Sequence, residues 1–111
     1  MIEVWFLRDD EDHIVEFRVS GHAEFNEYGA DIVCAAVSIL VQSAILGLEE
    51  HLNIEIDVKV VSGMIGCTIS EIEDSIMRLR VDAILETMIL GLQGIAEEYE
   101  KNVKIIEADR C

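Results

Sequence analysis

Hydrophobic and polar positions along the chain switch twice between a period of two and a helical period. Residues 2–8 are rich in β-branched and aromatic types and predict a strand, followed by an acidic turn at Asp9-Asp10-Glu11-Asp12. From His13 to Ser20 the alternation puts Val15, Phe17 and Val19 on one face and Ile14, Glu16 and Arg18 on the other. The first two strands therefore read as a hairpin, with His13 at the surface. Residues 31–51 are apolar around nearly the whole helical circumference, which predicts the most buried helix of the protein.

Alternation resumes at 54–61, with Ile54, Ile56, Val58 and Val60 expected inward. Ser62-Gly63 suits a two-residue turn, and a return strand over 64–70 puts Ile65, Cys67 and Ile69 on one face. A second helix is expected from the polar stretch 70–74 to about Glu100. Its buried stripe is read as Ile76, Leu79, Ala83, Met88, Leu92, Ile95 and Tyr99. Gly91 and Gly94 inside it lower helix propensity and predict close packing against another element. A short strand over 103–107 comes last. The order strand-strand-helix, repeated twice plus a short final strand, predicts an α+β, two-layer domain with helices packed on an antiparallel or mixed sheet. At 111 residues, 1–111 reads as a single domain.

Composition changes this picture in three respects. An apolar fraction of 51% is high for so short a soluble chain, so part of that surface is expected to be buried in a homodimer. A formal net charge of −15 argues against direct nucleic-acid binding, which needs a basic footprint, and favours a basic partner. The odd cysteine number, 3, and the absence of ligand spacings argue against a disulfide framework and a metal site; no cofactor is implied. The N-terminus lacks the basic start and apolar run of a signal peptide, and the apolar stretch 32–48 is short for a membrane span. A cytoplasmic, non-membrane protein with reduced thiols is expected.

Candidate chemistry gathers in residues 20–38. His22 follows Gly21 at the end of the second strand, and Cys34 comes 12 residues later in the first helix. Asp31 is a suitable N-cap, which would put Cys34 at about the third helical position, where free N–H groups and the helix dipole favour a thiolate. An imidazole nearby can take the thiol proton and return it to a leaving amine. Against this, cysteine in an apolar helix commonly serves as a small core residue. Ser38, one turn beyond Cys34, can bond the thiolate or a substrate carbonyl, or bond back to the carbonyl of residue 34. Asp31 can equally orient His22 or cap the helix. The segment 22–30, bracketed by Gly21 and Gly29 and carrying Phe25 and Tyr28, is expected to act as a cover that opens to admit a peptide.

Gly21-His22-Ala23, the aromatic Phe25, and Gly29-x-Asp31-Ile32-Val33-Cys34-Ala35-Ala36-Val37-Ser38 together resemble the signature of the ribosomal-processing cysteine protease family, Prp. The resemblance implies a small α+β cysteine endopeptidase that removes the N-terminal extension of a bacterial large-subunit ribosomal protein, cutting after bulky apolar residues. It carries the catalytic roles to His22 and Cys34, with Gly21, Asp31 and Ser38 as supporting positions. Two other readings remain: a thiol redox protein using Cys34, disfavoured by the lack of a nearby resolving cysteine, and a non-catalytic ribosome-associated binding module.

Overall fold

The structure, a computed structural model, describes residues 1–21 and 28–108, with residues 28–31 as backbone only. The elements run β1 (Ile2–Arg8), β2 (Ile14–Ser20), α1 (Tyr28–Leu46) continuing through a π-helical turn (Gly47–His51), β3 (Ile56–Val61), β4 (Met64–Ile69), α2 (Ser75–Glu98) and β5 (Val103–Glu107). The strands form one sheet in the order β3-β4-β2-β1-β5. β1 pairs with β5 in parallel and every other pairing is antiparallel, so the sheet is mixed. The α+β architecture is as expected; the strand order is new information, because it depends on long-range pairing.

Ile2, Val4 and Phe6 of β1, Phe17 of β2 and Cys67 and Ile69 of β4 are buried, together with Val33, Val37 and Val41 of α1 and Val81, Leu85 and Leu92 of α2. The opposite sheet face is polar, and there the Arg18 guanidinium lies 3.9 Å from the Trp5 ring centre. With its π-helical turn, the α1 segment from Ile32 to His51 is long and apolar enough to cross a membrane by length and composition. In the fold its valine face packs on the sheet instead.

Several expectations are corrected. Strict alternation in β2 fails at Val15: Leu7 pairs with Glu16 but Arg8 pairs with Ile14, leaving Val15 as the extra residue of a β-bulge. Ile14 and Phe17 are consequently both buried. Helix α1 begins at Tyr28, so Asp31 lies inside its first turns rather than at the N-cap, and Gly29 is helical. The first half of the α2 stripe is rotated: Ile76 and Leu79 are 59% and 68% exposed, and the buried face runs through Arg78, Val81, Leu85, Met88, Ile89 and Leu92, while Ile95 and Tyr99 pack against the core as expected. Met88 and Leu92 belong to both stripes.

A charged residue on the buried face explains the error. Arg78 is buried because Nη2 donates to the Ile14 carbonyl oxygen at 2.8 Å and Nε donates to Asp82 Oδ1 at 2.9 Å. His13 is drawn into the same network, its Nδ1 lying 2.8 Å from Asp82 Oδ2, and is half-buried rather than a surface residue. Gly91 does mark a close approach, since a Cβ there would stand 3.1 Å from Leu40 Cδ1, whereas one at Gly94 would meet nothing. Val60, expected inward, is 72% exposed at the end of edge strand β3.

The β1–β2 turn is tied by one carboxylate. Asp9 Oδ1 accepts from the backbone N–H of Glu11 at 2.9 Å and of His13 at 3.0 Å. Burial pushes the Asp9 carboxyl up, but those backbone donors outweigh it and hold its pKa below the usual range. A depressed carboxyl stabilises the fold above the unfolded-state pKa, and that stabilisation is lost as pH falls through the folded-state value. Loss of the two hydrogen bonds, screened by solvent, should make Asp9→Ala cost at most about 1 kcal/mol near neutral pH. The deficit should narrow in acid below the usual carboxylate range, as read from urea titrations of both proteins. An equal deficit at both pH values would refute this role.

Candidate active site

The start of β1, the end of β2 and the β3–β4 turn converge beneath α1. At this junction Gly21 has φ +87°, the left-handed region that favours glycine. A Cβ there would fall 2.2 Å from the Met1 carbonyl oxygen, so space forbids a side chain as firmly as conformation does. The Gly21 N–H donates to the Gly63 carbonyl oxygen at 3.0 Å, and Gly63 occupies the turn with φ +77°. The chain thus leaves β2 at a point fixed by two other segments. His22 follows directly and lies outside the described residues, as does Phe25; Asp31 is placed as backbone only.

A groove of about 260 Å³ opens at this junction. Its helix wall is Cys34, Val37, Ser38, Val41 and Gln42, and its opposite wall is Val60, Val61, Met64 and Ile65. Ile2, Gly21 and Gly63 close it at the strand ends. Most of these side chains are apolar, and Cys34 and Ser38, both half-buried, bring polar atoms to it. Such a groove suits an extended apolar segment with a nucleophile at its wall.

Because α1 starts at Tyr28, Cys34 sits in the second turn. Its N–H falls beyond the first four groups of the helix, the ones left without intrahelical partners, so the free N–H groups expected around Cys34 lie a turn earlier in the helix. Ser38 does not bond back to the carbonyl of residue 34. Its one hydrogen bond among the described residues is accepted from Gln42 Nε2 at 2.8 Å. Sequence reading passed over Gln42, although its spacing of two turns from Cys34 on an apolar helix was a usable signal. The β3–β4 wall could not be found that way, because it meets α1 only through the tertiary fold.

A second, more polar cavity of about 660 Å³ lies at the opposite side of the hairpin, beside Asp9, His13, Glu71, Glu73 and Arg78. It holds no nucleophile comparable to Cys34. Among the described residues no group of His, Cys, Asp or Glu is arranged to hold a metal ion.

A one-layer helical cover on a mixed sheet, with a half-buried thiol on an apolar groove, fits the class of small thiol hydrolases. The chain belongs to the Prp family of cysteine proteases: the family model described as cysteine protease Prp matches residues 1–104. The ribosomal processing cysteine protease Prp of Bacillus subtilis is 31% identical over 111 residues, covering 95% of this chain and 96% of the relative. That of Staphylococcus aureus strain Mu50 is 34% identical over 109 residues, covering 95% and 97%. The crystal structure of the S. aureus protease in complex with a substrate peptide superposes with a TM-score of 0.85 at 26% identity, over 97% of this chain and 100% of that one. A Streptococcus mutans protein gives 0.84 at 28% identity, over 96% and 93%.

The two described thiols should differ sharply in reactivity. Cys67 is buried on β4, and burial, followed by the nearby Glu49 and Asp57 carboxylates, pushes its thiol up to about 12. Cys34 opens on the groove. In a Cys111→Ser background, iodoacetamide should label Cys34 at least about tenfold faster than Cys67 near neutral pH, measured by peptide mass spectrometry. Comparable rates would mean that Cys34 is an inert core residue.

Proposed function

We propose that this cysteine protease removes the N-terminal extension of a basic large-subunit ribosomal protein. Cys34 is the nucleophile and His22 its base and later the acid for the leaving amine. The observation that carries the reading is the half-buried Cys34 on the wall of an open, mostly apolar groove. The relation to proteases named for ribosomal processing, one of them solved with a substrate peptide, supports the substrate class. Gly21 fixes where the chain enters His22, and Asp31 and Ser38 act in support.

The net charge of −15 favours a basic protein partner and disfavours direct nucleic-acid binding. The cytoplasm is the compartment we infer, with no membrane association. The redox reading is the weaker rival: among the described residues the one other thiol, the buried Cys67, does not line the groove beside Cys34. Incubating the extended ribosomal protein with the enzyme tests the assignment against both the redox and the binding-module readings. Cys34→Ala should lower kcat/KM by about a thousandfold or more, with thermal melting little changed. Undiminished cleavage by Cys34→Ala would remove this residue from the mechanism.

A homodimer through the outer face of the helical layer is part of the same proposal. Ile39 and Leu46 of α1 and Leu79 and Leu90 of α2 are more than half exposed there, at 62%, 55%, 68% and 68%. Sedimentation equilibrium should give a dimer that Leu79→Glu with Leu90→Glu weakens at least tenfold, or by about 1.4 kcal/mol. A monomer at all concentrations would dispose of it.

A further inference from the structure

Cys34, Ser38 and Gln42 follow one another at one-turn spacing on α1, and all three line the groove. A helical hydroxyl commonly donates back to the carbonyl four residues earlier. Thr87 does so in α2, donating to the Ala83 oxygen at 2.6 Å. Ser38 behaves differently, because its one hydrogen bond among the described residues is accepted from the Gln42 amide at 2.8 Å. A hydroxyl has one proton and two lone pairs. With Gln42 donating to a lone pair, the Ser38 proton stays available to the groove that Cys34 shares.

We propose that Gln42 is a positioning residue whose amide fixes the Ser38 hydroxyl as a hydrogen-bond donor to the oxyanion formed at the scissile carbonyl. This rests on the protease mechanism proposed above. When Cys34 Sγ bonds to the carbonyl carbon, the π pair of the C=O bond moves onto oxygen. Ser38 stabilises that charge by hydrogen bonding and transfers no proton. A donor already aimed before the charge develops contributes most, since nothing has to reorient during the reaction. Because the Cys34 N–H lies beyond the free groups of the helix start, such a side-chain donor is the more necessary. A carboxylate at 42 would do the reverse: able only to accept, it would capture the Ser38 proton and turn it away from the groove. Gln42 is exposed, so its replacement should leave folding intact.

Steady-state cleavage of an apolar peptide substrate tests the proposal with donor-only and acceptor-only side chains at 42. Gln42→Glu should lower kcat about tenfold, as Ser38→Ala should, with KM changed by less than about twofold, whereas Gln42→Lys should retain kcat. In a Ser38→Ala background the difference between the Glu and Lys variants should vanish, because the effect passes through the hydroxyl. Persistence of that difference without Ser38 would assign it to bare charge near the thiolate and overturn the proposal. A Gln42→Glu enzyme with wild-type kcat, or one changed only in KM, would overturn it equally. Failure of the mechanism beneath it is seen separately, as full activity in Cys34→Ala.

Discussion

The seam between one face of the sheet and the paired helices is the contact on which the rest of this structure depends. Phe6 and Phe17 from the strands meet Leu48 of the π-helical turn and Leu85 of α2 with almost no exposed surface. Each such side chain contributes roughly 1.5–3 kcal/mol on burial, against a total stability of about 5–15 kcal/mol for a domain. Among the described residues the other face of the sheet has no second layer, and the helices cover the apolar face by themselves. That requirement sets the tight spacing of α1 and α2, with Leu40 against Gly91 and Ile84 against Gly47. It also holds the valine side of α1 down, which leaves Cys34 and Ser38 at the margin of the seam, where the groove opens.

The margin is shaped by backbone as much as by side chains. Gly21, hydrogen-bonded to Gly63 and pressed against the Met1 carbonyl, joins three segments far apart in sequence. Natural sites commonly put reactive groups on loops held by a rigid scaffold. Here the anchoring point is a residue with no side chain at all, and the surrounding walls come from α1 and the β3–β4 turn.

Much of the order of elements was legible because alternation and helical periodicity are local properties. The strand over residues 2–8, the turn at Ser62-Gly63, the buried Cys67 and the final strand could each be read within a few residues. The errors have different causes. Arg78 became buried and His13 became half-buried because the second strand's start and α2 meet across more than sixty positions of sequence, while the bulge at Val15 lies in the β1–β2 register that alternation alone does not fix. The rule that charged residues point outward turned the α2 stripe the wrong way. That Cys34 and Ser38 share one side of α1 was legible from their spacing. The β3–β4 wall was not, since only the completed sheet brings Val60 and Met64 to the helix.

The parallel pairing of β1 with β5 separates the two ends of the chain. Ile2 pairs with Val103 and Phe6 with Glu107, so β5 runs away from the groove along the opposite edge of the sheet. Met1, by contrast, abuts Gly21 and its neighbour Ile2 lines the groove. Residues added ahead of Met1 would emerge at the mouth of the groove, whereas a tether after β5 would leave that mouth clear. For attaching the protein to a surface or a reporter, the two termini are therefore not equivalent.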